Sequence, residues 1–123
     1  MHQLTLPTSQ AIIALMDNFL NDRLDIAAQS NMIAVKLSAM ANSNRLKILC
    51  ALASGPLSVA EIQENVNLSQ SAVSQHLSKM KKSGVVMCKK DAQNRFYYIE
   101  DNRILKLMLH IDDIFKQVET EAF

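Results

Sequence analysis

Apolar residues recur every three to four positions in six stretches of this chain, and at every second position in one region only. Ile12, Met16, Phe19 and Leu20 share one face of a helix over residues 8 to 21, opened by Thr8 and Ser9 after Pro7. Ile33, Leu37 and Met40 keep the same period in a second helix, from roughly residue 25 to 41. Leu46, Leu49, Cys50 and Ala53 give a third, ended by Ser54-Gly55-Pro56. Ser58 followed three positions on by Glu61 is a capping box, and Val59, Ile62 and Val66 form the short stripe behind it. Ser69 then caps a fifth helix that buries Val73, Leu77 and Met80 and stops at Gly84. Residues 85 to 90 and 95 to 99 alternate instead, which predicts two strands around the turn Asp91 to Asn94. The last helix, 102 to 118, aligns Ile104, Leu107, Met108, Ile111, Phe115 and Val118, with Leu105 and Leu109 widening the stripe.

Two short helices joined by a tight turn, the second capped and followed by a hairpin, make a winged helix-turn-helix. The expected fold class is mostly α with a small β-hairpin, in one domain over residues 1–123. Within it, residues 1–30 are an N-terminal extension helix and 44–83 the helix-turn-helix core. Residues 85–99 are the wing and 102–118 a dimerisation helix, because its stripe exceeds what so small a domain covers. At 49% hydrophobic residues the chain has material for one core, and two Gly with two Pro leave few tight turns.

Charge changes the picture only when it is divided along the chain. The whole carries +1, yet residues 69 to 95 hold six Lys or Arg against Asp91 alone. The basic charge is local, as a phosphate-binding face requires. On the fifth helix the side opposite the apolar stripe carries Ser71, Ser74, Gln75, Ser78, Lys79 and Lys82. An ordinary solvated helix would mix Glu with Lys, but no acidic residue occurs between Glu64 and Asp91. Hydroxyls and an amide that reach base edges, with lysines for phosphates, suit a helix lying in a DNA major groove. Lys89, Lys90 and Arg95 near the hairpin tip extend the same sign, as a wing against backbone or minor groove does. The bland alternative is a solvated hairpin whose charges blunt an edge strand.

No run of 18 apolar residues appears and the N-terminus lacks the basic region of a signal peptide, so a cytoplasmic protein without membrane contact is expected. Ser74, His76 and Lys79 share one polar helix without a Gly-rich oxyanion turn, and no carboxylates pair around a cleft, which argues against an enzyme. No cofactor is expected. Two readings remain open: a dimeric regulator binding double-stranded DNA at a palindromic operator, as repressor or anti-repressor, and a winged-helix module that binds an acidic protein partner.

The runs LSAMANSNRLKILCALASG and LSVAEIQENVNLSQSAVSQHLSKMKKSGVV, with the wing DAQNRFYYI, resemble the ArsR/SmtB family of bacterial winged-helix repressors. The likeness covers about residues 33 to 118 and is strongest to the branch of nodulation, virulence and persulfide-sensing regulators. It implies a homodimer built from the first and last helices. It also implies that Gln70, Ser71, Ser74, Gln75 and His76 face bases or nearby phosphates. The family's metal sites are not matched: Val59-Ala-Glu-Ile-Gln63 holds no cysteine, and Asn102-Arg-Ile104 and Phe115-Lys-Gln-Val118 lack the Asp and His ligands. His110 with Asp113 is an i,i+3 pair, more ordinarily solvated than ligating. Cys50 matches one cysteine of the persulfide-sensing branch, while the second position falls near Gln117. Cys88 sits in the wing instead. Cys50 is expected as a small buried hydrophobe in line with Leu46 and Ala53, and redox switching through Cys50 and Cys88 is the sharper alternative.

Overall fold

The computed structural model describes residues 9–23 and 26–122, with side chains over 9–17 and 26–116. The chain divides into two units, residues 1–33 and 34–123. In the first, α1 (Ser9–Arg23) leaves Ile12, Ile13, Leu15 and Met16 exposed. The Phe19 and Leu20 side chains lie outside the described residues. A helix expected from about residue 25 begins later. Ile26 offers no side-chain cap, and the backbone satisfies itself through a 3₁₀ turn at Ala27–Gln29, where Gln29 N–H donates to Ile26 O at 3.1 Å. The α-helix α2 (Ser30–Met40) follows and runs into the second unit.

That unit contains α3 (Ser43–Leu52), α4 (Val59–Val66), α5 (Gln70–Lys82), β1 (Met87–Asp91), β2 (Asn94–Tyr98) and α6 (Asn102–Ala122). Asn42 starts α3 by accepting from the Asn44 and Arg45 N–H groups at 2.9 and 3.1 Å. Ser58 and Glu61 close the expected capping box on α4. Between α4 and α5 the turn is made at Asn67, whose φ of +55° is the left-handed conformation that Asn tolerates. The core is where these three helices meet. Ile48, Leu49, Ile62, Val73, Leu77 and Met80 are fully buried, with Met40, Leu52, Val66 and Ile104 around them.

Two expectations about faces are corrected. The buried side of α3 is Ile48, Leu49 and Leu52, while Leu46, Cys50 and Ala53 are exposed. Packing against α4 and α5 selects the stripe at positions 45, 48, 49 and 52, one step round from the expected one. Cys50 is therefore no buried hydrophobe. Nor do Val85 and Val86 open a strand. Both are buried, because their N–H groups turn back to Met80 O at 2.9 and 3.3 Å after Gly84 takes φ +79°. The strand begins only at Met87.

The antiparallel hairpin pairs Met87 with Tyr98, Cys88 with Tyr97, Lys89 with Phe96, Lys90 with Arg95 and Asp91 with Asn94. Leu57 and Tyr97 exchange backbone hydrogen bonds at 3.0 and 2.8 Å, which anchors the wing to the link between α3 and α4. The helix α6 is capped by Asp101, which accepts from the Arg103 N–H at 3.0 Å. Ile104 reaches the core and Leu107 and Met108 lie against it. Further along, Leu109, Ile114 and Phe115 are 67%, 55% and 65% exposed. Val118 falls outside the described side chains.

Candidate nucleic-acid interface

Ser69 accepts from Ala72 N–H at 3.1 Å and so sets the phase in which α5 enters. With Val73, Leu77 and Met80 pointed into the core, helical geometry sends Ser71, Ser74, Gln75, Ser78, Lys79 and Lys82 outward, and all six are exposed, as is Gln70. Lys79, Lys81 and Lys82 in the last turn also complement the negative end of the helix dipole. Their charge thus has a structural use, and Ser71 Oγ lies 3.3 Å from the capping Ser69 Oγ, but the Ser74 and Gln75 side chains take part in none of the described hydrogen bonds.

His76 stands apart from that face. It is half-buried on the flank of α5, and its Nδ1 lies 3.4 Å from Arg45 Nη1. Burial, and then the positive charges of Arg45 and Lys79, hold its pKa below the ordinary value. Arg45 also donates from Nε to Ala39 O at 2.6 Å, and Lys36 donates from Nζ to Ser83 O at 3.2 Å. Neither Lys36 nor Arg45 is singled out by the sequence patterns above. A signal existed for Arg45, which shares the i, i+3, i+4, i+7 stripe of Ile48, Leu49 and Leu52 once the phase of α3 is known.

On the wing, Lys89, Lys90 and Arg95 are exposed together near the tip. Lys89 Nζ sits 5.6 Å from the centre of the Tyr98 ring, a cation–π distance that steadies the side chain. Cys88 is half-buried opposite Tyr97, whose hydroxyl pKa is raised by burial and then by Cys88. Cys50 is exposed on α3. Both cysteines are free thiols. His110 and Asp113 are exposed on α6, and among the described residues no group of three His, Cys, Asp or Glu gathers as for a metal ion. No described helix is long and apolar enough to cross a membrane.

A capped helix-turn-helix with a cationic outer face and a basic hairpin beside it defines a winged helix-turn-helix of the nucleic-acid-binding kind. Residues 42–87 match the model of the bacterial regulatory proteins of the arsR family. The chain is 44% identical over 77 residues to the transcriptional activator HlyU of Vibrio cholerae, covering 63% of this chain and 70% of HlyU. The crystal structure of NolR from Sinorhizobium fredii superposes with a TM-score of 0.66 at 36% identity, over 72% of this chain and 89% of NolR. That of the transcriptional repressor BigR from Xylella fastidiosa gives 0.69 at 26% identity, over 74% and 93%. The chain belongs to the arsR family. It is a regulatory protein rather than an enzyme.

Proposed function

We propose that two copies of this chain bind a palindromic DNA operator in the cytoplasm and regulate transcription by occupying it. Each copy lays α5 in a major groove and its wing along flanking backbone. The observation that carries this is the exposed face of α5, where Ser71, Ser74, Gln75, Lys79 and Lys82 lie together with no acid among them. Gln75 is the base-reading candidate, with Gln70, Ser71 and Ser74 facing bases or nearby phosphates beside it and His76, on the flank, near a phosphate rather than a base. Lys79, Lys82, Lys89, Lys90 and Arg95 neutralise phosphates.

Dimerisation is supported by Leu109, Ile111, Ile114 and Phe115, which place exposed apolar surface along α6. A twofold pair would set the recognition helices about 34 Å apart, one turn of duplex. The relatives act with both signs by name, activator and repressor, so either outcome at a promoter is compatible with this surface. Selection of bound sequences from a random duplex pool is the experiment. It should yield a palindrome whose half-sites are roughly 10 base pairs apart. Recovery of unordered sequences, with acidic polypeptides bound as tightly, would favour a protein-partner module instead.

A thiol response is a subordinate part of the proposal. Cys50 is exposed beside Leu105, Met108 and Leu109, where an oxidant or sulfane sulfur reaches it, and Cys88 is the second candidate. Polysulfide treatment should modify Cys50 and change operator affinity. Modification without a change in affinity would remove redox sensing from the function.

A further inference from the structure

A pocket of about 310 Å³ opens beside the C-terminal half of α5, lined by Val35, Ser38, Arg45, Lys79, Lys82 and Ser83 among others. Three of these are cations drawn from two helices, and no acidic side chain lines it. The C-terminal ends of α2 and α5 meet here, and their leftover carbonyls would ordinarily repel an anion. Two of those carbonyls are already engaged by cations. Arg45 Nε holds Ala39 O at 2.6 Å and Lys36 Nζ holds Ser83 O at 3.2 Å. Ser83 Oγ in turn donates to Met80 O at 2.8 Å. Donors are left over: Arg45 Nη2 takes part in none of the described hydrogen bonds, and Lys79 and Lys82 in no described ion pair. His76, on the border, feels the positive charge of both Arg45 and Lys79.

We propose that this pocket is a phosphate subsite, which seats one phosphodiester group of the duplex backbone beside the groove that α5 occupies. Arg45 is its fixed donor and Lys79 and Lys82 its point charges. The inference rests on the DNA-binding proposal above. Arg45 is held in place before any ligand arrives, so little side-chain freedom is lost when its guanidinium meets phosphate oxygens. A purely structural duty accounts for Arg45 Nε and for Lys36, since each satisfies a helix-end carbonyl. The helix dipole gives a reason for lysines in the last turn of α5, but none for Lys79 and Lys82 to share one opening with Arg45. Both lysines also belong to the outward face of α5, which makes the pocket continuous with the proposed base-reading surface. That continuity favours a backbone phosphate over a free one.

Two variants of the full chain test it. Arg45→Gln removes the donor. Ser38→Glu puts a negative charge at the rim from α2, leaving Arg45, its bond to Ala39 and all of α5 intact. Each is checked for an unchanged far-ultraviolet spectrum and thermal midpoint, then titrated with operator and scrambled duplex at several salt concentrations. Both should weaken the two duplexes by a similar factor, roughly tenfold, the size of one hydrogen bond to a charged group. For Arg45→Gln the slope of log affinity against log salt should shrink by about 0.9, one phosphate contact. Ethylation interference should lose one backbone phosphate per half-site in Arg45→Gln and keep the rest.

If wild type binds duplex and a folded Ser38→Glu variant matches it in affinity and slope, the phosphate subsite is wrong while the DNA proposal survives. If wild type binds no duplex above an acidic polymer, the DNA proposal itself has failed. Inorganic phosphate titrated into the free protein is the remaining arm. Shifts of the Ser38 and Ser83 amides by phosphate, with duplex binding unaltered in both variants, would mark a free-anion site and overturn the assignment to DNA.

Discussion

Lys90 and Arg95 stand directly opposite each other across the hairpin, two positive charges paired where an opposite pair would hold the strands better. Like charges in that position destabilise a ladder by a few tenths to about 1 kcal/mol. Such a pair is well used when an anion comes between the two, as a phosphate would. The Arg95→Glu variant should therefore resist urea slightly better than wild type while binding every duplex more weakly and with a shallower salt dependence. Equal affinity in the variant would take the wing off the DNA.

Gln75 and Lys82 lie on one face of α5 but are assigned different duties. Gln75→Ala should reduce discrimination between operator and scrambled duplex by about 1–3 kcal/mol, the range of a lost bidentate base contact. Lys82→Ala should weaken both duplexes by the same factor and leave their ratio alone. Competition titrations with the two duplexes read both. A common loss in both variants would refute base reading by Gln75.

Two substitutions calibrate the scaffold. Leu77 is fully buried under α5, so Leu77→Ala should cost about 2–5 kcal/mol of unfolding free energy through lost burial and the cavity left behind. Ser58→Ala breaks half of the capping box on α4 and should cost about 1 kcal/mol. Urea denaturation distinguishes them. The larger loss must fall on Leu77 if the three helices share one core.

His76 gives opposite pH trends to the free and the DNA-bound protein. Its folded pKa is lowered below the ordinary 6.5, so the folded state disfavours the imidazolium. Stability from this group is complete above pH 6.5 and declines as the pH falls through the lowered folded value. A duplex phosphate nearby would raise that pKa again. Operator affinity should then increase between about pH 7.5 and pH 5.5 while thermal stability of the free protein decreases, and His76→Gln should flatten both. Affinity that drops with stability would keep phosphates away from His76.

Much of this fold is legible along the chain because its local signals agree with one another. Ser58 with Glu61, Ser69 before Val73, and Gly84 at a positive φ each mark a boundary that depends on neighbours in sequence alone. The face of α3 is not of that kind. Leu46, Leu49, Cys50 and Ala53 make as good a stripe on paper as Ile48, Leu49 and Leu52, and only contact with α4 and α5 decides between them. From that one step of rotation come the exposure of Cys50 and the approach of Arg45 to His76. Val85 and Val86 mislead for a related reason: β-branched residues favour strands, but two hydrogen bonds to Met80 O draw them under a helix end. The polar face of α5 could be read directly, since six outward positions follow once three inward ones are fixed.

Whether two copies read one operator is measured by competition between the selected palindrome, its scrambled counterpart and heparin, followed by fluorescence anisotropy from low to physiological salt. Operator reading by two copies requires one dimer per palindrome, with steep salt dependence on both duplexes and a preference for the palindrome of roughly 10³-fold or more at physiological salt. A monomer that binds palindrome, scramble and heparin alike would contradict it.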